Sequence, residues 1–239
     1  FFALVGSGLF AGVFALAKAA GQGPVEHPWF QIVFLRYATG FLVILAVALV
    51  LRRRGGGLVS HNRRLHLARA ICGLGGLGGL TYAMNQMPYA DAVSISYTKG
   101  AIILILAWWL LKERVTPRHW LAVMISIAGA VFVAAPQGLQ GGMNPAALAA
   151  VISAGMMALE MVILKLSAMR EGPVVILLHV NGFAALLTLV PAVALGEWQG
   201  LSDWWFVLLM GPVAIIAQVA NIRAFQLADA AFLTPFGYS

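Results

Sequence analysis

Three ionisable side chains stand deep inside long apolar runs: Arg36, Lys99 and Glu160. A charge placed in hydrocarbon costs at least about 2.5 kcal/mol on insertion scales, so it normally meets a partner, a cavity or a ligand. The charge distribution assigns one end of each run to the outer face. Arg36 then lies roughly 10 Å deep, Lys99 about 12 Å and Glu160 about 21 Å, at 1.5 Å per helical residue. Arg36 and Lys99 share a depth, so together they would make a doubly cationic spot that selects a carboxylate or phosphate. Glu160 is the deep carboxylate able to take and release a proton. Lys99 and Glu160 differ by about 9 Å in depth, so extended side chains could just meet. Each has a plainer role open to it. Arg36 can bond backbone carbonyls or a neighbouring helix, Lys99 can reach up to the outer interface, and Glu160 can sit protonated and neutral. Lys18 lies near the outer end of its run and can snorkel. Neutral candidates for a binding surface are Tyr82, Tyr97, Thr98, His179, Asn181 and Gln218, with Asn85 and Trp108 beside them. Core packing or helix–helix hydrogen bonding explains these equally well.

Other chemistry has no support in the motifs. The chain carries no G-x-S-x-G, H-E-x-x-H or C-x-x-C pattern, which speaks against an enzyme. His27, His61, His66 and His119 fall in connections or at interfaces and read as solvated, with no metal-ligand spacing. No cofactor or metal site is expected. Gly73-Leu74-Gly75-Gly76-Leu77-Gly78 satisfies G-x-G-x-x-G, yet no strand precedes it. Close packing through Gly75 and Gly79 is the better reading. Asn144-Pro145-Ala146 spells a water-channel triplet without a second copy, and an N-cap followed by proline explains it. Met156, Met157 and Met161 read as packing residues.

The elements that must position these residues are membrane spans. Mean hydropathy is +0.91, and charged residues make up only 10% of the chain. A soluble domain needs about a quarter. Apolar runs occupy 2–20, 29–51, 67–85, 91–111, 119–136, 145–165, 173–195 and 204–222, and a ninth starts near 230. Each is near the length of a transmembrane helix. The even-numbered connections hold the Lys and Arg residues, including Arg52, Arg53, Arg54, Arg63, Arg64 and Arg69. The odd-numbered connections hold no Lys or Arg and carry Glu26, Glu197 and Asp203. Basic connections face the cytoplasm, so the N-terminus is expected there. The net charge of +7 is thus a topology signal and not a nucleic-acid surface.

Two halves are visible. Ala3, Gly8, Ala11 and Lys18 match Ala150, Gly155, Ala158 and Lys165 at one constant offset, and Gly40-Phe41 matches Gly182-Phe183. Ala90-Asp91-Ala92 returns as Ala228-Asp229-Ala230. Five spans per copy invert the second copy in the bilayer, an arrangement of many secondary transporters. The expected fold is an all-α polytopic transmembrane bundle with an inverted five-helix repeat, residues 1–137 forming the first repeat and 138–239 the second. The chain begins and stops in apolar sequence and reads as part of a longer protein.

Phe34-Leu35-Arg36-Tyr37, Ala83 with Ala90-Asp91-Ala92, and Leu111-Lys112-Glu113-Arg114-Val115 with Trp120 and Gly129 recur in order along the first half. Leu227-Ala228-Asp229-Ala230 and Thr234-Pro235-Phe236 follow in the second. On these motifs the chain resembles the drug/metabolite transporter superfamily, in its ten-helix branch with two EamA domains. The resemblance implies ten helices, cytoplasmic termini and a central cavity lined by the first four helices of each repeat. One departure is visible: the family's mid-helix proline in the fourth span is replaced by Ser96-Tyr97-Thr98-Lys99-Gly100, with Gly100 as a bending point; Gly211-Pro212 is another. The expected function is secondary transport of a small organic metabolite or drug across the bacterial inner membrane by alternating access, with export favoured over uptake and proton coupling through Glu160. A membrane-embedded enzyme and a passive channel or facilitator are the alternatives. Substrate, coupling ion and oligomeric state are not legible.

Overall fold

The computed structural model describes residues 1–21, 29–53, 58–60, 62–113, 116–138, 145–195, 198, 205–229 and 233. Several features of the sequence reading lie outside the described residues: Glu26, His27, Arg54, His61, Arg114, Val115, Asn144, Glu197, Asp203, Trp204, Ala230 and Thr234-Pro235-Phe236. The described residues are all-helical. In chain order the helices are α1 (Phe2–Gly21), α2 (Trp29–Arg53), α3 (Arg63–Gln86), α4 (Tyr89–Ser96), α5 (Lys99–Leu110), α6 (Pro117–Gly138), α7 (Pro145–Ala168), α8 (Pro173–Ala194) and α9 (Trp205–Leu227). Five spans meet both length and hydropathy for crossing a bilayer: Phe30–Arg53, Asp91–Leu110, Pro145–Ala168, Pro173–Ala194 and Leu208–Leu227.

The fourth apolar run differs from expectation, for it forms two helices. Tyr97 and Thr98 keep helical dihedrals, but their bonding tightens. The Thr98 N–H bonds Ile95 O at 3.0 Å, and the Gly100 N–H bonds Tyr97 O at 3.1 Å. The Ser96 hydroxyl bonds Val93 O and the Thr98 hydroxyl bonds Ile95 O, each at 2.7 Å. Hydroxyls that reach back onto the preceding turn compete with the helix ladder, so a serine–threonine pair marks the break where the sequence lacks proline. Lys99 thereby becomes the first residue of α5. At the other end of α5, Lys112 adopts φ 56°, and the Glu113 N–H returns to Ala107 O at 3.1 Å.

The chain forms two compact units. The first comprises Phe1–Ala70 and Ser167–Leu227. Within it α1 packs on α9, and α2 packs on both α8 and α9. Close approach is made by small residues. A Cβ on Gly211 would strike the Thr39 hydroxyl and come within 2.5 Å of Gly40 N. Gly6 of α1 seats against Asn221 and Ala217 of α9, while Val13 joins Met210 and Ala214. Residue numbers therefore rise along α1 as they fall along α9, so the two helices are antiparallel. α9 runs unbroken through Gly211-Pro212.

The second unit comprises Ile71–Leu166 and Ala228–Tyr238. Gly75, Gly76 and Gly79 of α3 meet Met156, Met157 and Ser153 of α7, and the Ser153 hydroxyl bonds Gly76 O. This is the small-residue face expected of the glycine run. Ser153 stands at the offset that relates Ala3 to Ala150, so it is the counterpart of Gly6. The Gly6 crossing of α1 on α9 and the Ser153 crossing of α7 on α3 are thus matched pairs. Also within this unit, the Lys165 ammonium donates to Ala228 O at 2.6 Å and lies 4.0 Å from Asp229. Trp108 packs edge-on against Trp120 at 5.9 Å.

Candidate functional site

In the second unit the residues of interest gather where α4 gives way to α5. Lys99 opens α5 and is half-buried. Glu160 of α7 answers it: an electrostatic attraction couples its carboxylate to Lys99. The carboxylate lies against α3 at Gly73, where an added Cβ would come within 3.3 Å of the Glu160 carboxyl carbon. Gly73 is therefore a cradle for the acid, a role the sequence did not reveal. Thr98 spends its hydroxyl on Ile95 O. Tyr82 and Tyr97 are 49% and 43% exposed.

In the first unit Arg36 is half-buried on α2. Its guanidinium lies over the Tyr37 ring, 4.8 Å from the centroid, a favourable cation–π contact. Its Nε has no hydrogen-bond partner, and among the described residues no carboxylate pairs with it. Asn181 is buried and donates through Nδ2 to Leu177 O at 2.8 Å. Its Oδ1 faces Gly40, so it helps join α2 to α8. Gln218 is buried in α9 at 6% exposure. His179 donates from Nδ1 to Val175 O at 2.9 Å, because a carbonyl can only accept. Its ring stacks on His66 at 5.5 Å.

Sequence reasoning missed two residues in this unit. Gln31 is fully buried, and neither end of its amide finds a partner among the described residues. His66, read as solvated, is also fully buried. Its burial is built by Glu171, which bonds it from 105 positions along the chain. No local pattern announces either. Among the described residues, no group of three or more His, Cys, Asp or Glu could hold a metal ion.

Comparison with known proteins agrees with this architecture. A pseudopaline exporter of Pseudomonas aeruginosa is 30% identical over 235 residues, covering 94% of this chain and 77% of that protein. A riboflavin transporter of Brucella anthropi is 26% identical over 217 residues, covering 86% and 73%. An S-adenosylmethionine uptake transporter of Rickettsia bellii is 22% identical over 211 residues, covering 87% and 70%. A protein of known crystal structure superposes with a TM-score of 0.72 at 22% identity, over 99% of this chain and 82% of that one, and so shares the fold. Residues 1–135 match the EamA-like transporter family. With more than half of its length matched and its helices long and apolar enough to span a bilayer, the chain belongs to the EamA-like transporter family, as a multi-pass protein of a bacterial membrane.

Proposed function

We propose that this transporter exports a small organic molecule bearing an anionic group across the inner membrane, by alternating access between two inverted repeats at 1–137 and 138–239. The observation that carries the reading is Arg36, a guanidinium within a membrane span that has no carboxylate partner among the described residues. A charge so placed is retained where something else supplies the counter-charge, and an anionic substrate would do so. Lys99, in the second unit, is attracted electrostatically to Glu160. Exchange of a proton at Glu160 is the coupling step in this reading. Tyr82, Tyr97 and Thr98 of the second unit and His179, Asn181 and Gln218 of the first are each proposed as substrate-contacting residues.

The exporter among the relatives, covering 94% of the chain, supports the direction. The matched Gly6 and Ser153 crossings support the repeats. A metabolite-resolved efflux and uptake screen in cells expressing the full-length protein tests the reading. Efflux of a carboxylate- or phosphate-bearing compound that falls tenfold or more in Arg36→Gln, at unchanged expression, is expected; that factor corresponds to about 1.4 kcal/mol of lost interaction. Efflux restricted to neutral or cationic compounds overturns it.

A further inference from the structure

At the arginine-rich end of the first unit, three segments converge on His66. The ring lies in the first turn of α3 beside exposed Arg63 and Arg64, yet it is fully buried. Its Nε2 is 2.7 Å from Glu171 Oε2 in the α7–α8 connection. Glu171 Oε1 accepts the Ser60 hydroxyl at 2.8 Å, and that hydroxyl accepts the Asn62 N–H at 3.0 Å. Gln226 of α9 holds the same connection from beneath, donating to Ala168 O at 3.1 Å and to Glu171 O at 3.4 Å. His179 stacks on the far face of the ring at 5.5 Å. Arg69, one turn along α3, is also buried.

An ionised carboxylate can only accept, so Nε2 carries the hydrogen. Nδ1 is then a bare lone pair, and it has no partner among the described residues. We propose that Nδ1 of His66 is a proton-binding site whose occupation releases a clasp between the start of α3 and the α7–α8 connection. Protonation there creates a buried N–H with nothing to donate to, which is costly. It also sets a second cation beside Arg69 and a ring facing His179. The attraction of Glu171 opposes release. Burial weighs most, so the clasped imidazole holds its proton less readily than an ordinary histidine and its pKa is lowered from 6.5.

The sign follows by linkage. A depressed folded value means that the clasp is at full strength above the ordinary histidine pKa and weakens as pH falls through that value toward the lowered one. The released, hydrated ring takes the proton at its usual pKa. Acid on this side thus opens the arginine-rich end.

The inference is independent of the substrate and of the transport reading. Its test uses the full-length protein in lipid nanodiscs, in a Cys72→Ser background. Spin labels are attached through Asn62→Cys and Met169→Cys, on either side of the clasp, and their distance distribution is measured by pulsed electron resonance at about pH 8 and about pH 5.5. The expected result is a reversible shift to longer, broader distances at the lower pH. His66→Gln keeps a donor toward Glu171 but cannot titrate, so its distribution should be the same at both pH values; His66→Asn serves if that variant does not fold. Identical distributions for the parent at the two pH values overturn the proposal without any variant. A His66 variant that opens with acid as the parent does overturns it equally.

Discussion

Glu160 sits beside a glycine for a physical reason. The carboxylate occupies the volume that a side chain at position 73 would fill, so Gly73→Ala should push it off α3 by a few tenths of an ångström. Because positioned charges act through distance, we expect transport to fall several-fold in Gly73→Ala while yield and thermal stability change little, measured on purified protein. Glu160→Gln keeps the shape and removes the exchangeable proton. It should retain substrate binding and lose the pH dependence of transport; an unchanged pH profile would leave proton coupling without its residue. Gln31 predicts the opposite kind of effect. A buried amide with no partner costs about 1–3 kcal/mol, so Gln31→Leu should raise the melting temperature in detergent, and a loss of transport with that gain would mark the amide as a ligand contact. Arg36, Lys99 and Glu160 were legible in the sequence because a charge in an apolar run is an outlier against its neighbours. Gln31 and His66 were not, since what buries them comes from distant segments.

The helices themselves were legible from apolar length, and their ends agree with the runs to within a few residues, save at α3, which begins four residues before its run, and α9, which ends five residues past its own. The break between α4 and α5 was not. Ser96 and Thr98 are individually unremarkable, and their bonding to the preceding turn at the break is not announced by residue type. The termination of α5 offers a clean test of local strain. Lys112 holds a left-handed backbone at φ 56°, which costs a side-chain-bearing residue about 1–2 kcal/mol and glycine little. Lys112→Gly should therefore stabilise the protein by about 1 kcal/mol in thermal or denaturant unfolding. A destabilised variant would show that the lysine side chain matters more than its backbone. Gly211→Ala should do the reverse. Its new methyl would meet Thr39 and the backbone of Gly40, so α2 and α9 must part, at a cost of about 1–3 kcal/mol.

At the scale of the whole molecule, the arrangement of charge predicts which way the chain sits in the membrane. Within the first unit, Ser60 and His66 bond Glu171, and Gln226 bonds the same connection. Ser60 of the α2–α3 connection, the start of α3, the α7–α8 connection and the end of α9 are thus gathered together, and exposed Arg63, Arg64, Arg170 and Arg223 lie on these segments. Because α1 runs antiparallel to α9, the N-terminal end of α1 belongs with them. Basic ends remain in the cytoplasm, so this whole end is expected to face it. α3 provides the ruler. Its 24 residues span about 36 Å, more than the roughly 30 Å of hydrocarbon, so its two ends should open on opposite sides. Asn62 precedes it, and Tyr89, 69% exposed, follows it. In a Cys72→Ser background, Tyr89→Cys should react with an impermeant thiol reagent added to intact cells, and Asn62→Cys should react only after the membrane is opened. Labelling of Asn62→Cys from outside would invert the orientation. It would also place the His66 clasp on the outer face, where the acid that releases it would have to come from the medium.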